Sequence, residues 1–341
     1  MGLYEFAPYF GGLPVADLRP STSEATSIEP GTQPSRNYGE PEVYGVGPAE
    51  YAADAIAWRI RIDPWEDDEL TFEDHFRYFL DSVDTTRVTA LLCGCWDEEL
   101  SEESPALALL VENAAKFPNL RHLFLGDVVQ EESEISWMTI GHLTPVLRAF
   151  PQLEELVVRG GDEAGDPPAL EPLRHEGLRK LTFESGGLSA RVITTLGLCE
   201  FPALESLDVW MGISEYGGDA TADDLAELLS GVRLPALRHL GLMNSEIQDA
   251  VAAAVAGAPL TARLESLDLS MGTLGDEGAE ALLAGQPLTH LKRLRINHHF
   301  ISDPTSERLR KTLRPLGVTV DIDSPEQLRD WGSGRYAEVT E

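Results

Sequence analysis

The stretch LESLDLSMGTLGDEGAEALLAGQPLTHLKRLRI, residues 264–296, decides the fold. It opens and closes on one phrase, Leu-x-x-Leu-x-apolar, first at Leu264 and again at Leu291. The phrase alternates apolar and polar residues with the period of a strand. Between its copies lies GDEGAEALLAGQPL, acidic at its start, apolar at helical spacing, and stopped by Gly and Pro. Outward from there, the phrase reads LRHLFL from Leu120, LEELVV from Leu153, LRKLTF from Leu178, LESLDV from Leu204 and LRHLGL from Leu237. The steps between the seven starts are 33, 25, 26, 33, 27 and 27 residues. Three degenerate copies extend the series: Ala57, Ile60 and Ile62; Val88, Leu91 and Cys93; and GVTVDI from Gly317. Further helices are predicted in SPALALLVENAAKFP from Ser104, TADDLAELLSGVRLP from Thr221 with Thr221 as N-cap, and IQDAVAAAVAGAP from Ile247. Each is expected to run about three turns. Strands alternating with helices at a repeating step predict an α/β solenoid with a parallel sheet.

The span from Leu264 resembles the repeats of ribonuclease-inhibitor-type leucine-rich-repeat proteins. The likeness covers about residues 120–300, and it implies a horseshoe with a parallel concave β-sheet and outer helices. The family places Asn or Cys at the ninth position of the phrase. Here that position holds Val128, Gly161, Gly186, Gly212, Ser245, Gly272 and His299, so looser turns are expected. GDVVQEESEISWM from Gly126 and EYGGDAT from Glu215 are similar to a small group of bacterial leucine-rich-repeat proteins of unknown function, and imply no activity. The expected organisation is an N-terminal docking segment at 1–19, a flexible linker at 20–48, the solenoid at 49–324 and a C-terminal tail at 325–341. The linker is assigned on its Ser, Thr, Pro and Gly content.

Lys and Arg number 26 against 58 Asp and Glu, a net charge of −32. Such a chain repels phosphate backbones and anionic lipid, so neither nucleic acid nor membrane is an expected partner. A basic protein or peptide would be drawn in, although acidity also serves solubility alone. The N-terminal stretch lacks a basic region and a long apolar core, so no secretory signal is expected in it, and the sequence has no run of 18 apolar residues. The three cysteines, Cys93, Cys95 and Cys199, make no disulfide framework and suit a reducing cytoplasm. One of the Cys93 and Cys95 pair is expected in the core and the other half-buried. No P-loop, dinucleotide fingerprint, nucleophile elbow or zinc-protease motif occurs. Cofactors, metals and catalytic residues are therefore not expected.

Positions 5 and 7 of the phrase should point onto the concave face. Position 5 runs Arg61, Leu92, Phe124, Val157, Thr182, Asp208, Gly241, Asp268, Arg295. Two readings stand for Leu92, Phe124 and Val157: a partner surface, or a patch covered by the apolar N-terminal residues Leu3, Tyr4, Phe6, Tyr9 and Phe10. Position 7 contributes Arg159, Glu184, Trp210 and Met243. Two repeats carry inserts after the strand, one with Glu131, Glu132 and Trp137, the other with Tyr216 and Asp219. Loops on a rigid scaffold favour binding. The expected partner-binding set is Arg159, Glu184, Trp210, Met243, Glu131, Glu132, Trp137, Tyr216, Asp219 and Phe124. The function expected is a non-catalytic protein- or peptide-binding scaffold. The alternatives are an enzyme or accessory subunit using the acidic rim with a metal or basic substrate, and a structural cap for an assembly.

Overall fold

The computed structural model describes residues 4–18, 26–27, 30–31, 44–65, 70–97, 100, 104–139, 141–161, 169–328 and 334–340. The chain divides into two compact units, Met1–Arg159 and Gly160–Glu341. Both are α/β, with mostly parallel strands that do not close into a barrel. The boundary falls inside the 49–324 span. No helix among the described residues is long and apolar enough to cross a membrane.

The first unit begins with an antiparallel hairpin, β1 (Tyr9–Phe10) and β2 (Leu13–Asp17). β3 (Thr26–Ser27) and β4 (Tyr44–Gly45) make a short parallel pair. β5 (Ala57–Ile60), β6 (Ala90–Cys93), β7 (His122–Leu125) and β8 (Glu155–Arg159) then continue from β2, each parallel to the one before. The helices are α1 (Phe72–Ser82), α2 (Ala106–Glu112) and α3 (Thr144–Ala149). Trp58, Leu91, Leu123 and Leu156 stand in one register row. That row faces the helices, since the Trp58 and Phe79 rings lie 5.9 Å apart and Phe79 stacks on Phe117 at 6.1 Å.

The register corrects the reading of the first copy. Trp58, not Ile60, pairs with Leu91, so Arg59 takes position 5 and Arg61 position 7. Alternation of Trp58, Ile60 and Ile62 is unchanged by a slip of two residues, so the pattern fixed the face and left the register open.

The opposite face settles the choice posed for Leu92, Phe124 and Val157. Ala7, Phe10 and Val15 pack on Ala57, Ala90, Leu92, Phe124 and Val157 as one buried cluster. The N-terminal segment covers the patch. Most of the 20–48 segment lies outside the described residues, but Val46 is buried and its N–H donates to Asp17 O at 2.9 Å. Cys93 and Cys95 are both buried, where one was expected half-buried. Burial pushes both thiols up to about 12.

The second unit holds β9 (Lys180–Glu184), β10 (Ser206–Gly212), β11 (His239–Ser245), β12 (Ser266–Asp268), β13 (Arg293–Arg295) and β14 (Thr319–Asp321), parallel and in chain order. Leu181, Leu207, Leu240, Leu267, Leu294 and Val320 form one buried register row. The helices are α4 (Ala190–Leu198), α5 (Ala226–Ser230), α6 (Gln248–Gly257), α7 (Asp276–Ala284) and α8 (Asp303–Leu313). At Thr221 the Asp224 carboxylate accepts from the backbone N–H at 2.8 Å and the hydroxyl at 2.7 Å. α5 is shorter than expected, because Ala222–Leu225 winds as a 3-10 turn and Gly231 closes the helix in the left-handed region.

The turn after β11 is firmer than the missing Asn/Cys ladder suggested. Gln248, fully buried, accepts from Ser245 N at 3.2 Å and donates to Leu242 O at 2.7 Å. Thr273 Oγ1 donates to Glu246 O at 2.8 Å. The backbone groups are satisfied from the next helix and the next repeat as well as from position 9, where Ser245 Oγ accepts from Ile247 N at 3.1 Å.

Candidate functional site

The first unit builds a buried ion-pair network where β5 and β7 end. Arg59 sits at 4% exposure, with its guanidinium 2.7 Å from Asp17 and 2.7 Å from Asp127. It also donates to Ala7 O at 3.0 Å. Arg61 pairs with Glu132, whose side chain is fully enclosed. The Phe6 ring lies 4.7 Å from the Arg59 guanidinium and 4.9 Å from that of Arg61. Burial opposes the charge of both arginines. Asp127 and Asp17 outweigh it at Arg59, and Glu132 and Asp17 at Arg61, so both pKa values stand above the ordinary one.

This network corrects the expectation that Glu132 is a rim charge: it is committed to Arg61. Arg159 and Phe124 also lie inside this unit. Arg159 is 2% exposed, donates to Val128 O at 2.6 Å and stands 5.3 Å from the centre of the Phe124 ring. Glu131 and Trp137 are exposed, and Trp137 Nε1 donates to Glu134 Oε2 at 2.6 Å.

In the second unit, Trp210 and Met243 are register partners on β10 and β11, but both are buried, as is Glu184 on β9. Tyr216 is half-buried and Asp219 exposed. Asp219 accepts from Ala190 N at 2.6 Å, which caps the start of α4. The expected set is thus divided between the units, and the side chains of Phe124, Glu132, Arg159, Glu184, Trp210 and Met243 are enclosed.

A polar feature of the second unit is the position-5 row of its strands. Asp208, Gly241, Asp268 and Arg295 are successive register partners. Gly241 has no side chain, and the Asp208 carboxylate leans across it. A Cβ there would meet Asp208 Oδ1 at 2.2 Å, so this position is closed to any other residue without displacing Asp208. His239 Nε2 lies 2.8 Å from Asp208 Oδ1, and Arg295 Nη1 lies 3.0 Å from Asp268 Oδ2. The side chains of Asp208, His239 and Arg295 keep 24%, 26% and 46% exposure, while Asp268 keeps 2%. Burial raises the Asp268 pKa and Asp208 adds to that, with Ser270 and Arg295 pulling back only in part. His239 was not among the residues singled out from sequence. Its signal was a glycine between two aspartates at position 5, with a histidine two residues earlier.

Desolvation opposes charge on His239, but the hydrogen bond and charge of Asp208, with Asp268 behind it, raise its pKa above 6.5. The folded value exceeds the unfolded one. The stabilisation is therefore complete below about pH 6.5 and is lost as pH rises through the folded pKa. Asp208→Asn should move the His239 titration downward. An NMR titration of the His239 ring checks this, and an unmoved or higher midpoint would contradict it.

Among the described residues, no group of three His, Cys, Asp or Glu is placed to hold a metal ion. No protein-family model matches the sequence, and no curated protein matches it. A crystal structure from Bacteroides fragilis, a Northeast Structural Genomics Consortium target, is similar at 28% identity and a TM-score of 0.71, covering 85% of this chain and 78% of that one. The chain is therefore similar to that protein in its α/β arrangement over most of its length.

Proposed function

We propose that the chain is a leucine-rich-repeat solenoid that binds a protein or peptide, without catalysis, through a basic group seated on the Asp208–Asp268 row. The observation that carries this is the pair of carboxylates flanking Gly241, of which Asp208 keeps 24% side-chain exposure and Asp268 2%. The reading is supported by the leucine register of the strands, which is the arrangement that repeat architecture requires, and by the net charge of −32. His239 and Arg295 hold the carboxylates in place, and because a part-exposed ion pair contributes little, a cation of the partner can compete for Asp208.

The test is titration calorimetry with peptides carrying Arg or Lys at varied spacing, at low and at high salt. Binding should weaken as salt rises. Asp208→Asn with Asp268→Asn should weaken it by about tenfold or more, which is about 1.4 kcal/mol. Equal affinity of the parent and the double variant would sink the proposal.

A further inference from the structure

The described segment Gly334–Thr340 lies across the ends of β11, β12 and β13 within the second unit. Its contacts are made one repeat at a time. Val339 exchanges two hydrogen bonds with the Asn244 side chain, its N–H donating to Oδ1 at 3.0 Å and its carbonyl accepting from Nδ2 at 2.6 Å. Glu338 N donates to Met271 O at 2.7 Å. His298 Nε2 donates to Tyr336 O at 2.9 Å.

Asn244, Met271 and His298 occupy the same place, position 8, in three successive repeats. All three are in the left-handed region, with φ of 54°, 70° and 53°. A methionine or histidine adopts that conformation at a cost, so three in a row mark a backbone shaped for a purpose. Here it directs peptide and side-chain groups past the strand ends, toward the segment Gly334–Thr340. Two side-chain sites fix the register of that chain. Arg335 Nη1 lies 2.7 Å from Asp249 Oδ2 and 3.2 Å from Thr273 O. Tyr336 stacks edge-on with His298 and Phe300 at 5.2 and 5.4 Å, and its hydroxyl donates to Glu326 Oε2 at 2.7 Å. Apart from Gly334 and Ala337, the segment is exposed or half-buried, so it is held by polar contacts more than by an apolar core.

We infer that this line of strand ends is a binding site for peptides of the pattern Arg-aromatic-small, that the chain's own segment Gly334–Thr340 is its resident occupant, and that a partner protein binds by displacing it. The ligand class follows from the contacts: a guanidinium for Asp249, an aromatic ring for His298 and Phe300, and free backbone groups for Asn244 and Met271. The Asn244 and His298 side chains and the Met271 carbonyl take the ligand's main chain, and Asp249 and the His298 and Phe300 rings take its side chains. This site is separate from the Asp208–Asp268 row, so each proposal can fail without the other.

The test uses a fluorescein-labelled peptide of residues 334–340. It should bind the chain truncated after Leu328 in a saturable way, and bind the full chain at least about tenfold more weakly. In the full chain, Gly275→Ala should loosen the segment. A Cβ there would lie 2.3 Å from the Arg335 guanidinium, while the φ of −120° admits alanine. Peptide affinity should then rise toward that of the truncated chain, and Asp249→Ala in the truncated chain should abolish binding. Hydrogen exchange on the intact protein gives an independent reading: the Glu338 and Val339 amides should exchange about a hundredfold faster than those of Leu240 and Leu242. Exchange as slow as in β11, a truncated chain that does not fold, or a folded truncated chain that ignores the peptide would each show a fixed part of the fold and overturn the proposal.

Discussion

Arg59→Ala should destabilise the protein by about 3–5 kcal/mol, because it leaves the buried Asp127 carboxylate without its counter-charge and Asp17 with Arg61 alone, 3.8 Å away. Asp127 keeps 1% side-chain exposure and Asp17 15%, and both take their 2.7 Å contacts from this one guanidinium. The same change removes a donor to Ala7 O and the cation beneath the Phe6 ring. The N-terminal segment should therefore loosen together with the β5–β7 strand ends. Urea unfolding followed by circular dichroism measures the loss. Arg59→Met combined with Asp127→Asn should recover part of it, since the double change removes both charges instead of stranding one. A loss below about 1 kcal/mol for Arg59→Ala would mean that the two carboxylates find other donors, and the network would then not anchor the N-terminal segment.

Leu240→Ala should cost about 2–5 kcal/mol, as expected for a large-to-small change at a site that cannot collapse. Leu240 is 0% exposed and stands between Leu207 and Leu267 in the register row of the second unit. Strands on both sides fix the backbone, so the cavity stays open. Pairing the change with Leu267→Ala should give a loss that differs from the sum, because the two side chains share one void. The same unfolding measurement applies. A change under about 1 kcal/mol would mean that position 4 of the phrase does not face the core, against the whole register reading.

The sequence by itself determined the strands from β5 to β14 and their parallel direction, but not the β1–β2 hairpin or the β3–β4 pair. Leu123, Leu156, Leu207, Leu240, Leu267 and Leu294 could be placed inside before any coordinates, because a repeated 1-4-6 leucine phrase buries its side chains only if neighbouring copies lie in register. The start of the turn at Thr221 was equally legible, since capping is a local matter of three residues. What the sequence could not determine was which partners the polar residues take. Glu132 read as a rim charge because its ligand, Arg61, lies 71 positions earlier in the chain. The first repeat slipped by two residues because alternation fixes a face and not a register. Leu92, Phe124 and Val157 looked equally suited to a partner or to the N-terminal segment, and only the packing of Ala7, Phe10 and Val15 decided between them. The segment over Asn244, Met271 and His298 carries no periodic signal at all, because its place is set by hydrogen bonds to residues as far as 95 positions away. Period and local chemistry fix what the backbone does. Long-range pairing of charges and of unpaired peptide groups fixes which surfaces remain open, and that depends on the folded chain alone.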